Sequence, residues 1–132
     1  MRYRRLSYRY TLTLTGGAAP LRGLYAEQPN VRFAQTRWRP PADVFETAEA
    51  FHLVVELAGI NLEQLDVVLY EDALVIEGER RLRPAEAVGL YHAAEIRQGP
   101  FRLEMILPAV IDTDRVDARY EQGLLRLVLA KA

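Results

Sequence analysis

Three short apolar runs crowded into residues 51–80 constrain this chain more than any other feature. In FHLVVELAGINLEQLDVVLYEDALVIEGER the runs are 53–57, 65–70 and 74–76. Each is too short for a buried helix and is rich in Val, Ile and Leu, as strands are. Gly59 closes the first run, and Ile60-Asn61-Leu62-Glu63-Gln64 leads into the second. Glu71-Asp72-Ala73 has room only for a tight turn, so the second and third runs form a hairpin. Gly78 interrupts the third run, and Glu79-Arg80-Arg81 is expected to lead into solvent. With no helix-length segment between them, these runs predict an antiparallel all-β domain.

The pattern continues on both sides. Asp43-Val44-Phe45-Glu46-Thr47 is a short strand before the first run. After the hairpin comes a polar stretch, 80–89, with Pro84 inside it, and then a weaker strand over 91–96. Residues 101–107 form another strand, stopped by Pro108. Asp112-Thr113-Asp114 is expected to cap a single helical turn. Residues 116–120 and 124–129 pair across a hairpin turn at Gln122-Gly123. About eight strands at such short spacing predict an immunoglobulin-like β-sandwich.

Residues 1–39 read differently from 40–132. Tyr3, Tyr8, Tyr10, Tyr25, Phe33 and Trp38 are scattered among arginines, and Gly16-Gly17-Ala18-Ala19-Pro20 and Gln28-Pro29-Asn30 break any long element. Only Thr11-Leu12-Thr13-Leu14-Thr15 alternates strictly, as a short strand. The expectation is a flexible, adhesive arm joined at Pro40-Pro41 to the sandwich, since the residue before a proline is kept out of the helical region. Charge divides the same way. Residues 1–40 hold eight arginines against one acid, Glu27, a net of +7; the total is −1, so the remainder carries −8. Contact between the two halves would use this asymmetry without any outside ligand, most strongly at low salt.

Several functions are disfavoured by what the 132 residues contain. There is no cysteine, which removes disulfides and thiol chemistry and fits a reducing cytoplasm. No apolar run approaches the ~20 residues of a membrane span, and the basic N-terminus lacks the apolar stretch of a signal peptide. His52 and His92 are the only histidines and lie on separate strand candidates, which is no metal-site spacing. The acid pairs Glu77/Glu79 and Asp112/Asp114 sit at strand ends or in loops and read as surface charge rather than a catalytic pair. The arginine–tyrosine arm has phosphate-binding chemistry but no nucleic-acid recognition module. No phosphate loop or nucleotide fingerprint is present. The chain reads as a non-enzyme without cofactors.

Residues 41–131 resemble the α-crystallin domain of small heat-shock proteins. Pro41-Ala42-Asp43-Val44-Phe45-Glu46-Thr47 looks like the opening strand of that family, and Leu57-Ala58-Gly59-Ile60 stands where it has Leu-Pro-Gly-Val. Leu74-Val75-Ile76-Glu77-Gly78-Glu79-Arg80 is similar to Leu-x-Ile-x-Gly-Glu-Arg. Glu95 to Phe101 fits Glu-x-x-x-Gly-x-Phe, Leu107-Pro108 follows, and Ala118-x-Tyr120-x-x-Gly123-Leu124-Leu125 looks like Ala-x-Tyr-x-Asn-Gly-Val-Leu. The order and spacing of these matches carry the resemblance. There are departures: Ala58 and Ala130 replace family prolines, and Leu103 stands at the family arginine that pairs across a dimer seam, with Arg102 one position early.

The resemblance implies an ATP-independent holdase that keeps partly unfolded client proteins soluble, as a homodimer or a larger oligomer. A co-chaperone adaptor with a CS-type sandwich is the alternative, against which the long 81–96 insertion argues. The resemblance also implies sites. Tyr91, His92, Ala93, Ala94, Glu95 and Ile96 match a strand that bacterial and plant members exchange with the neighbouring subunit. Val67 and Leu69 on one edge strand and Val116 and Ala118 on another match the groove that usually receives a C-terminal Ile-x-Ile or Ile-x-Val. No such motif follows the last strand here. Leu12 and Leu14 are expected to dock in that groove instead, with Tyr8, Tyr10, Phe33 and Trp38 supplying the rest of a client-binding arm.

Overall fold

The computed structural model describes residues 2–8 and 12–18 by their strand pairing, and residues 37–132 in full. The described residues form nine strands: β1 Arg2–Tyr8, β2 Leu12–Ala18, β3 Ala42–Glu46, β4 Ala50–Glu56, β5 Asp66–Tyr70, β6 Ala73–Arg80, β7 Gly99–Ile106, β8 Ile111–Glu121 and β9 Leu124–Lys131. A 3-10 turn, Leu62–Gln64, bridges β4 and β5, with the Asn61 side chain accepting from the Glu63 amide at its start. The strands make two antiparallel sheets, β2-β1-β5-β6-β7 and β3-β4-β9-β8. The predicted antiparallel sandwich is therefore observed.

Alternation places one face of each strand between the sheets. Phe51, Leu53 and Val55 of β4 meet Val67 and Leu69 of β5, Leu74 and Ile76 of β6, Phe101 and Leu103 of β7, and Leu125, Leu127 and Leu129 of β9 in one core cluster. The motif residues have packing reasons. A Cβ at Gly78 would lie 2.6 Å from Phe101 Cζ, so only glycine admits the ring. Gly123 sits at φ +78° in the β8–β9 turn, where a Cβ would press on Ala58 at 2.9 Å. Its carbonyl accepts from the Leu57 amide, and Tyr120 Oη donates to the Leu57 carbonyl at 2.7 Å. Those bonds tie the end of β4 to the β8–β9 hairpin.

Four sequence readings need correction. Asp112-Thr113-Asp114 caps no helix. It lies within β8, where the register with β9 shifts between Ile111 and Val116 and the Asp112 side chain accepts from the Asp114 amide. The local Asx bond therefore makes an irregularity in a strand rather than a helical start. Residues 91–96, read as a weak strand, form no strand within this single chain and stand in an exposed loop. Arg80 does not lead into solvent; it is 6% exposed. Trp38 is not an outlying arm aromatic but part of the core cluster, and Pro40 beside it is also buried. The core thus begins two residues before the expected start at Pro40.

Candidate interaction surfaces

Trp38 and Arg80 share one hydrogen-bonded node at the end of β6. Trp38 runs beside β7, with its amide donating to the Pro100 carbonyl at 3.2 Å, its carbonyl accepting from the Arg102 amide at 3.0 Å and its Nε1 donating to the Gly99 carbonyl at 3.1 Å. Those bonds satisfy an otherwise open sheet edge. The Trp38 ring packs on Phe101 with centroids 5.3 Å apart. Arg80, the last residue of β6, places its guanidinium 4.5 Å from the Trp38 ring centroid. Its Nε donates to the Arg97 carbonyl and its Nη1 to the Ala58 carbonyl, with Glu56 Oε1 3.7 Å away. A buried guanidinium needs such partners, and a planar fork reaches two carbonyls at once. Arg80 therefore closes the base of the 81–98 segment. Nothing in the local sequence distinguishes it from Arg81, which pairs with Glu79 at the surface. The only signal was its place at the end of the Gly-Glu-Arg motif.

The 81–98 segment rises from that base. Leu82 donates its amide to the Gln98 side chain at 2.7 Å, and beyond that bond the chain is almost wholly exposed. Leu90 is 83% exposed, and Val88, Tyr91 and Ile96 are similarly open to solvent. Tyr91, His92, Ala93, Ala94, Glu95 and Ile96 thus stand together on an outlying loop. Across the sandwich, β3 is the outer strand of its sheet and carries exposed Val44 and Phe45, the latter 68% exposed. Phe45 meets the His52 ring edge-on, at 6.3 Å between centroids.

The β5–β8 side differs from expectation in one respect. Val67 and Leu69 are fully buried and point into the core, while Val116 and Ala118 of β8 are half-buried against it. An arm strand does add to β5, but it is β1, with Tyr3 opposite Tyr70, Arg4 opposite Leu69, Arg5 opposite Val68 and Leu6 opposite Val67. Leu12 and Leu14 lie one strand further out, in β2, opposite Tyr8 and Leu6 of β1. Two physical points favour this order. A strand in the middle of a sheet has hydrogen-bond partners on both sides. Gly16 and Gly17 weaken β2 as a central strand and suit it to the margin. Tyr8 ends β1, and Tyr10 and Phe33 lie outside the described residues.

Several charged residues pair across the outer face of the β6–β7 sheet. Arg102 bonds both Glu77 and Glu104 on the outer face of its sheet, with Nε to Glu104 Oε1 at 2.9 Å, while Leu103 beside it is in the core. Arg37 reaches Glu77 at 3.4 Å. The acid pair Glu77/Glu79 is therefore held by arginines. Among the described residues no group of three or more His, Asp or Glu is placed to hold a metal ion. No helix among them is long and apolar enough to cross a membrane.

The fold and motif geometry define an α-crystallin-type sandwich. Residues 43–132 match the model of the Hsp20/alpha crystallin family, and the chain belongs to that family. It is 35% identical over 92 residues to small heat shock protein C2 of Rickettsia felis, covering 70% of this chain and 60% of that protein. The chain thus spans about three fifths of that relative's length. Heat shock protein 16.0 from Schizosaccharomyces pombe superposes with a TM-score of 0.65 at 32% identity, over 72% of this chain and 88% of that one. The hspA protein of Xanthomonas axonopodis gives 0.64 at 29%, over 73% and 96%.

Proposed function

We propose that this chain is an ATP-independent holdase that works in the cytoplasm as a strand-exchanged homodimer or an assembly of such dimers. One observation carries the reading: among the described residues, six of the eight exposed large apolar side chains lie on the 88–96 loop and on the outer strand β3. A loop that exposes Val88, Leu90, Tyr91 and Ile96 is open to a packing partner, and β3, the outer strand of its sheet, carries exposed Val44 and Phe45. Adding residues 91–96 of one subunit to β3 of another would cover both. Arg80 would set the angle at which the loop leaves the sandwich, through its bond to the Arg97 carbonyl.

Client binding falls to the aromatic arm, Tyr8, Tyr10 and Phe33 among its residues, with the arm's arginines giving it solubility between encounters. A partly unfolded client exposes apolar surface that otherwise drives aggregation, and an adaptable apolar segment covers it without chemistry. The test is light scattering of a heat-labile client, with and without an equimolar amount of the full chain and no ATP. Suppressed scattering is expected; unchanged aggregation overturns the reading.

A further inference from the structure

A cleft of about 630 Å³ opens where the 81–98 segment leaves and rejoins the sandwich. Residues of the turn between β4 and β5 line one part of it, and the two ends of the loop, 81–84 and Gln98, line the rest. Arg80 ties these parts together from beneath, with Nη1 donating to the Ala58 carbonyl and Nε to the Arg97 carbonyl. Leu82 adds its amide bond to Gln98. The cleft is therefore preformed, and its volume is of the order usual for ligand sites, roughly 300–1,000 Å³.

Its chemistry is one-sided. Ile60 and Leu82, both half-buried, supply an apolar floor, and Leu82 packs on the bare Gly59, where a Cβ would lie 2.8 Å from Leu82 Cδ2. Around them stand three carboxamides. Asn61 Oδ1 already accepts from the Glu63 amide and Gln98 Oε1 from the Leu82 amide, which leaves their N–H donors for a ligand. The exposed Gln64 side chain has no hydrogen bond of its own. Arg81 is paired with Glu79, whereas Arg83 is exposed and meets no acid. The cleft thus offers several donors, one uncommitted cation and an apolar floor.

A ligand that answers all three must be rich in acceptors, negatively charged and partly apolar. An extended peptide meets those terms: its main-chain carbonyls repeat along its length, and its side chains alternate in direction. A bare anion would leave the floor unused. We propose that this cleft binds an extended peptide segment in which a large apolar residue neighbours an acidic one. The apolar side chain rests on Ile60 and Leu82, main-chain carbonyls accept from Asn61, Gln64 and Gln98, and the carboxylate pairs with Arg83. That such a segment belongs to a client rests on the proposed function; the binding itself does not.

The probe is a fluorescein-labelled synthetic peptide alternating leucine with glutamate between soluble ends, titrated with the full chain and followed by anisotropy. Arg83→Glu is expected to weaken binding about fivefold or more, as loss and reversal of an exposed charge pair allow. Arg22→Glu makes the same change of net charge in the basic N-terminal residues and should move binding less than about twofold. Leu82→Ser keeps the backbone bond to Gln98 and should also weaken binding, through the floor. A photoreactive leucine in the peptide should crosslink to residues 59–64 or 81–84. The proposal is overturned if the peptide does not bind, if Arg22→Glu weakens it as much as Arg83→Glu, if Leu82→Ser has no effect, or if the crosslinks fall elsewhere. Full displacement by an equal concentration of inorganic phosphate would reveal a plain anion site and overturn it as well. These readouts use no heat-labile client, so they fail separately from the holdase reading.

Discussion

The guanidinium of Arg80 lies over the indole of Trp38, 4.5 Å from the ring centroid, and joins three segments distant in sequence. Trp38 marks where the chain meets the edge of β7, Arg97 where the long loop returns, and Ala58 the turn just after β4. A change at this contact therefore acts on the arm, the loop and the core together.

Arg80→Met keeps much of the stem and removes the charge, the two carbonyl bonds and the stack. The Arg97 and Ala58 carbonyls lose a donor each. A loss of about 2–4 kcal/mol is expected, read as a lower denaturant midpoint. Arg80→Lys should recover only part, because an ammonium cannot span both carbonyls while lying flat on the ring. An unchanged midpoint for Arg80→Met would show that water replaces the guanidinium at no cost.

Gly78→Ala tests the close approach of Phe101. The added methyl would meet the ring at 2.6 Å, and the ring is held from its other side by Trp38. Overpacking of this kind typically costs about 1–3 kcal/mol. A folded variant with parental thermal stability would mean that Phe101 and Trp38 shift together without loss.

Removing residues 82–96 and joining the ends with a short turn should yield a folded monomer under the proposed strand exchange. The deletion leaves Arg80 and Arg97 in the chain, so the loop's base can still close. Sedimentation velocity decides the matter. A dimer that persists places the subunit seam elsewhere.

The β1–β5 pairing makes its own distinction within the arm. Leu6→Pro removes a backbone donor from a strand flanked by β2 and β5. Leu12→Ser with Leu14→Ser alters only the outer strand. The proline variant should make the N-terminal residues cleavable by protease at markedly lower doses, and the double serine variant should have the smaller effect. The reverse order would mean that β2 holds the arm in place.

From residue 42 onward most strand positions were legible in the sequence, 91–96 and the start of β8 excepted, because period-2 alternation and the glycine–proline punctuation are local properties of a sandwich strand. The motif glycines were legible as positions, and Gly78 and Gly123 turned out to stand where Phe101 and Ala58 leave no room for a side chain. The sequence also carried the family through the order of its motifs. What it did not carry were choices among segments of equal local character. Arg80 and Arg81 are identical in type and adjacent; the end of β6 aims one at Trp38 and leaves the other in solvent. Trp38 resembles the arm's other aromatics until the edge of β7 offers it hydrogen bonds and Phe101 offers it a surface. β1 and Leu12–Ala18 are both able to form strands, and only pairing along β5 decides which one lies against it. Each of these outcomes is a contact between residues far apart in sequence, and its energy does not exist until the sheets have assembled.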